Sequence, residues 1–120
     1  MSAGKLVSVV DDDESVRESL PDLLRSFGFE AEPFDSAEAF LGSASLARTS
    51  CLILDVAMPG MTGPELQEEL KKAGHRIPIV FITAHIEAAA GVLRNGAAAC
   101  LSKPFSDIAL LEAVTAAIGG

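Results

Sequence analysis

Asp11, Asp12, Asp55, Thr83 and Lys103 are the residues of this chain whose types could do chemistry together. Asp11 and Asp12 follow a short apolar run that reads as a strand. Asp55, Thr83 and Lys103 end three further runs of that kind. If these runs are parallel strands of one sheet, all five side chains occupy carboxyl ends and converge on one mouth. Three carboxylates within a few ångströms repel one another, and without a cation at least one of them should have a raised pKa. Mg²⁺ would relieve that repulsion, because it prefers octahedral oxygen coordination and is commonly held by one or two carboxylates plus phosphate oxygens. The set therefore reads as a Mg²⁺ site with room for a phosphoryl group. Phosphoryl transfer needs positioning and charge neutralisation above all. Taken alone, the run Asp11-Asp12-Asp13-Glu14 also suits the positive end of a helix.

Short β-like runs alternate with helical patterns along the whole chain. Strands are expected at 5–10, 30–34, 50–55, 77–83 and 98–102. Between the first two, Val16, Leu20, Leu23, Leu24 and Phe27 recur at helical spacing, and Gly28 stops that helix. Asp35 or Ser36 can cap a second helix reaching about Leu41, with Glu38 three residues after Asp35. Thr62 and Glu65 form a capping box for a third helix bearing Leu66 and Leu70, with Pro64 in its first turn. A short helix is expected over 86–94, and a last one over 107–118 with Leu111, Val114 and Ile118 on one stripe. Pro21 falls inside the first helix and predicts a kink, at a cost of about 3 kcal/mol in a regular helix.

This alternation makes residues 1–120 one α/β domain of the flavodoxin-like (βα)5 type. Its parallel five-stranded sheet should have the order 2-1-3-4-5, with helices on both faces. Nearly half of the residues are apolar and the net charge is −8. That acidity argues against nucleic-acid binding by this domain alone, since such affinity rests on Lys and Arg neutralising phosphates. No apolar run reaches the length of a membrane span. Residues 1–5 carry no long apolar stretch, so a secretory leader is not expected and the expected compartment is the cytoplasm. Cys51 and Cys100 are far apart in sequence, make no metal-ligand pattern and read as buried free thiols.

Four stretches carry a family resemblance: Val-Val-Asp-Asp-Asp-Glu (9–14), Leu-Asp-Val-Ala-Met-Pro-Gly-Met-Thr-Gly (54–63), Ile-Thr-Ala (82–84) and Lys-Pro-Phe (103–105). In this order and spacing the chain resembles the receiver domains of two-component response regulators. Val-Asp-Asp-Asp-Glu-Ser-Val-Arg and Ser-Ala-Glu-Ala-Phe-Leu make it most similar to the nitrogen-fixation-regulator (FixJ-like) subgroup. The resemblance implies that Asp55 is the phosphoacceptor, taking its phosphoryl group from a sensor histidine kinase or a phosphotransfer protein. It implies that Asp11, Asp12, Asp55 and the backbone carbonyl of Ala57 hold Mg²⁺. Thr83 and Lys103 would contact the acyl phosphate, and the Lys103–Pro104 peptide would be cis, aiming the lysine inward.

The pattern also breaks. Receivers carry Tyr or Phe three residues before the lysine, and here that switch position is Cys100, too small to report a movement of Thr83 as a ring does. The Thr83–Lys103 interval is about two residues shorter than the pattern, which points to the segment after His85. His85, two after Thr83, reads as an exposed loop residue, at a place where dephosphorylation is tuned in the family. The apolar stretch 86–94, with the fifth strand and last helix, suggests a homodimer face over 86–118, although tight packing of a small alanine-rich helix would explain it equally. Two rivals remain open. One is a Mg²⁺-dependent aspartyl phosphatase, for which Ala57 offers no second acid near Asp55. The other is an interaction module that takes no phosphate.

Overall fold

The computed structural model describes residues 4–119, so part of the stretch 1–5, on which the expectation about a secretory leader rests, lies outside the described residues. The chain order is β1 (Leu6–Val10), α1 (Glu14–Ser26), β2 (Glu30–Phe34), α2 (Ala37–Leu41), β3 (Thr49–Asp55), α3 (Gly63–Lys72), β4 (Ile79–Thr83), α4 (Ala89–Arg94), β5 (Ala99–Ser102) and α5 (Asp107–Gly119). All neighbouring strands pair in parallel, in the order β2-β1-β3-β4-β5. This is the flavodoxin-like arrangement expected from the alternation of elements.

Strands buried on both faces explain the nearly continuous apolar runs. Val7, Val9, Cys51, Ile53, Val80 and Ile82 point to one face, where Leu20 and Leu24 of α1 and Leu110 and Val114 of α5 cover them. Val10, Leu52, Leu54, Ile79 and Phe81 point to the other, under Phe40 of α2, Leu66 and Leu70 of α3 and Val92 of α4. One polar seam interrupts the second layer. The buried Ser8 hydroxyl lies 2.7 Å from that of Thr49, which donates to the Ser45 carbonyl at 2.8 Å, while the Ser45 hydroxyl donates to Glu32 at 2.6 Å.

Several local expectations are corrected. Phe27 does not join the core. It caps the C-terminus of α1 and is 59% exposed, because the chain leaves the helix there and Gly28 takes φ +91°. Pro21 is buried within α1, which continues past it to Ser26, so the proline does not end the helix. Of the two residues expected to cap α2, Asp35 or Ser36, Ser36 does so, accepting from the Ala39 amide at 3.0 Å. Glu38 is thereby freed from any box and instead accepts from the Met61 amide at 3.2 Å, tying α2 to the loop after β3. The expected helix 86–94 splits into a 3₁₀ turn, Ile86–Ala88, and the short α4. α4 buries only Val92, whose carbonyl accepts from the Gln67 side chain at 3.2 Å, while Ile86 and Leu93 stay about half exposed.

The Thr62–Glu65 capping box forms as expected. It starts α3 directly over the end of β3. Gly63 sits there because no Cβ fits: one would collide with the Asp55 carbonyl oxygen and lie 2.9 Å from the Phe81 ring. Gly63→Ala should therefore force the loop off β3 and lower stability by about 1–3 kcal/mol, as overpacking does. Thermal unfolding beside the parent protein checks this.

Candidate functional site at the carboxyl ends of the strands

Each acidic side chain sits where its strand ends. The register pairs Val10 with Leu54 and Asp55 with Ile82, so the residues that follow β1 and those that end β3 and β4 emerge at the same rim. Asp11 is fully buried and Asp55 is 6% exposed, whereas Asp12 faces solvent. One carboxylate oxygen from each of these three residues lies within 4.8 Å of the others. Lys103, one residue past β5, donates from Nζ to Asp11 Oδ2 at 3.0 Å and lies 3.8 Å from Asp55 Oδ1. The Lys103 amide donates to the Thr83 carbonyl at 2.7 Å, which extends the ladder to the rim, and the Lys103–Pro104 peptide is cis.

Every polar group of Asp11 is engaged. Its amide donates to the Phe34 carbonyl at 3.2 Å, and its carbonyl accepts from Arg17 Nη1 at 3.0 Å. Its Oδ1 accepts from the Asp13 amide at 2.9 Å, and its Oδ2 takes the lysine. Asp13 in turn caps α1 by accepting from the Ser15 amide and hydroxyl, and those bonds hold its carboxyl below the usual range. The loop after Asp55 turns at Pro59-Gly60, where Gly60 takes φ +74°, as the third position of a type II turn requires.

Burial pushes the Asp55 carboxyl up to about 7, and the negative charge of Asp11 adds to the rise, while Lys103 and the Ala57 amide oppose it. Burial also works against the Lys103 ammonium. The hydrogen bond to Asp11 and the charges of Asp11 and Asp55 outweigh it, so the lysine is raised. The donor set fits Mg²⁺. Octahedral coordination at about 2.0–2.1 Å places ligand oxygens about 3–4 Å apart, a spacing that carboxylate oxygens within 4.8 Å of one another can reach by small rotations. All the candidate donors are hard carboxylate oxygens, and a cation would offset both the burial and, to a lesser degree, the Asp11 charge that raise Asp55.

Sequence reasoning named Asp11, Asp12, Asp55 and Lys103, and these four come together. Thr83 reaches the same rim, but its buried hydroxyl accepts from the His85 amide at 2.9 Å and donates to the His85 carbonyl at 3.2 Å. Ala57 follows in the β3–α3 loop. His85 is 70% exposed and lies 3.7 Å from the Glu87 carboxylate, outside the acidic group. Cys100 is half-buried, pairs in register with Phe81 and packs against the α3 layer, and burial raises its thiol pKa. Burial also raises Cys51, to about 12; both thiols are free. Arg17 and Glu38 were missed. The signal for Arg17 was a cation in the first turn of a helix, where the macrodipole disfavours it.

Residues 7–115 match the family described as response regulator receiver domain. The chain is 47% identical over 118 residues to nodulation protein W of Bradyrhizobium diazoefficiens, covering 97% of this chain and 52% of that protein. Among solved structures, response regulator StyR superposes with a TM-score of 0.89 at 50% identity, covering 98% of this chain and 60% of that one. The FixJ-N crystal structure gives 0.88 at 37% identity, covering 96% and 94%. The chain spans about half the length of the curated relatives it matches.

A folded pKa above the unfolded one makes the native state bind more protons between the two values. Without divalent cations, Asp55 should therefore lower stability as the pH rises from about 4 through about 7. Subtracting the pH–stability profile of Asp55→Asn from that of the parent, both in chelator, isolates the slope. A flat difference would contradict it.

Proposed function

The chain belongs to the response regulator receiver family of two-component signalling, and we propose that Asp55 is the residue that takes the phosphoryl group. The observation that carries this reading is the convergence of Asp11, Asp12 and Asp55 on Lys103 at one rim of the sheet. Asp11, Asp12 and Asp55 hold Mg²⁺, with the Ala57 carbonyl as a further oxygen. When bound, Mg²⁺ neutralises the carboxylates and the phosphoryl oxygens they face. Asp55 in its anionic form then attacks phosphorus. The new bond joins its carboxylate oxygen to phosphorus, the bond from phosphorus to the donor's imidazole nitrogen breaks, and the imidazole leaves with the electron pair and takes a proton. Lys103 turns from Asp11 to the transferred group, supplying the positive charge on that side. The Thr83 hydroxyl leaves His85 and donates to the acyl phosphate.

The donor is a sensor histidine kinase or a phosphotransfer protein in the cytoplasm. A cleft of about 420 Å³ beside Lys103, lined by Val16, Leu20, Pro104 and Phe105, supports docking of a protein donor there. Among the described residues no helix is long and apolar enough to cross a membrane. The phosphoryl group adds about −2 charge and strong acceptor oxygens. Its effect is a population shift, bounded by the contacts it makes in one state and not the other. Cys100 stands where the family uses an aromatic ring, so switching proceeds through the backbone and loops around Thr83.

Incubation with Mg²⁺ and acetyl phosphate, followed by intact mass measurement, should add one phosphoryl mass to the parent protein. It should add none to Asp55→Asn or to the parent in chelator. No added mass on the parent would favour the interaction-module reading, and steady turnover of a generic phosphomonoester would favour a phosphatase.

Half-exposed Ile86 and Leu93, beside an α5 that is apolar on most sides, support homodimerisation through residues 86–118. Sedimentation at high concentration should show a dimer that strengthens with a phosphate mimic. A monomer under both conditions would remove the dimer from this reading.

A further inference from the structure

Arg17 is the fourth residue of α1, so its positive charge lies in a first turn where the helix dipole opposes a cation by about 0.3–1 kcal/mol. Glu14, Glu18 and Asp13 are near it in sequence, yet its guanidinium donates to the backbone carbonyl of Asp11 at 3.0 Å. That carbonyl belongs to the peptide joining Asp11 to Asp12. On the other side of the Asp11 Cα, the amide is held by the Phe34 carbonyl. Phe34 and Arg17 thus grip the backbone of Asp11 from β2 and from α1. The carboxylate of Asp11 has its own partners, Asp13 and Lys103. Asp12 has none of this support. It is exposed, and the direction of its side chain follows from the orientation of the 11–12 peptide.

On the Mg²⁺ reading proposed above, we infer that Arg17 is a positioning residue of the cation site, acting through the Asp11–Asp12 peptide to hold the two carboxylates at their common spacing. Arg17 exerts two effects of opposite sign on a cation. Its charge repels Mg²⁺, so loss of charge alone would tighten binding. Its hydrogen bond orders two ligands, so loss of the bond weakens binding; outer partners of metal ligands commonly govern affinity by about 10–100-fold. The sign of the change therefore separates positioning from electrostatics, and general packing has no reason to move it.

The experiment is a Mg²⁺ titration followed by amide NMR shifts, on the parent, Arg17→Met and Arg17→Lys, with metal-free thermal unfolding of each. Methionine keeps most of the apolar stem and removes donor and charge; lysine keeps the charge and one donor. Arg17→Met should bind Mg²⁺ about 10-fold more weakly, Arg17→Lys should recover part of the loss, and both should unfold near the parent temperature. Equal or tighter binding by folded Arg17→Met overturns the inference and leaves the Mg²⁺ reading standing. A parent that does not respond to Mg²⁺ overturns both. If Arg17→Met does not fold, Arg17→Gln decides by the same sign, weaker binding supporting the inference and equal or tighter binding overturning it.

Discussion

Two buried carboxylates and one exposed one share a single ammonium, and the rest of the molecule is organised around that imbalance. Lys103 lies 3.0 Å from Asp11 and 3.8 Å from Asp55. At an effective dielectric of about 20, each such pair attracts by roughly 4–6 kcal/mol before desolvation. Carboxylates within 4.8 Å of one another repel by at least about 3–4 kcal/mol per pair on the same footing. Attraction and repulsion nearly cancel, so burial decides, and Asp55 is the carboxyl it pushes up, to about 7. With all three carboxylates ionised, three negative groups against one positive leave two charges unmatched, the charge of one divalent cation. The carboxylates thus crowd at a cost that a bound cation would offset, as is common at positions kept for chemistry.

The scaffold makes such crowding possible by rigid means. Parallel strands place their ends at one rim, and the last ladder bonds tie that rim together. Gly63 lets α3 start in contact with the Asp55 backbone, and the Thr62–Glu65 box fixes where that start lies. Glu38 reaches across from α2 to the same loop. None of these residues carries the chemistry, yet each removes a freedom that three mutually repelling side chains would otherwise use to move apart.

Much of this was legible in the sequence. Strands covered on both faces have no polar side, so β1, β3 and β4 stand out as apolar runs, and Asp11 after β1, Asp55 at the end of β3 and the hydroxyl of Thr83 at the end of β4 mark the rim. The capping box and Gly28 announced themselves by local rules. What failed was non-local. Phe27 continues the helical spacing of α1, but periodicity cannot tell the last core residue from a cap where the chain turns away. Asp35 and Glu38 have box spacing, yet Ser36 caps one residue later and releases Glu38 to a partner 23 residues on. The 86–94 segment is apolar enough for one helix, but nothing in composition shows that its first turn is 3₁₀. The Thr83 residue reaches the rim as its place at the end of β4 announces, but nothing local in the sequence shows that its hydroxyl bonds to the His85 backbone here.

The helices differ in how firmly they are held to the sheet. α1 and α5 each bury several large or ring-bearing side chains against the sheet, while α4 is fastened by Val92 and one amide from Gln67. A single buried valine contributes about 1.5–3 kcal/mol, which is within reach of the contacts a phosphoryl group can make or break. Among the described α-helices α4, on the rim beyond β4, is therefore the one with the smallest buried anchor. Work done among the carboxylates would be delivered there first, with the opposite layer as its anvil.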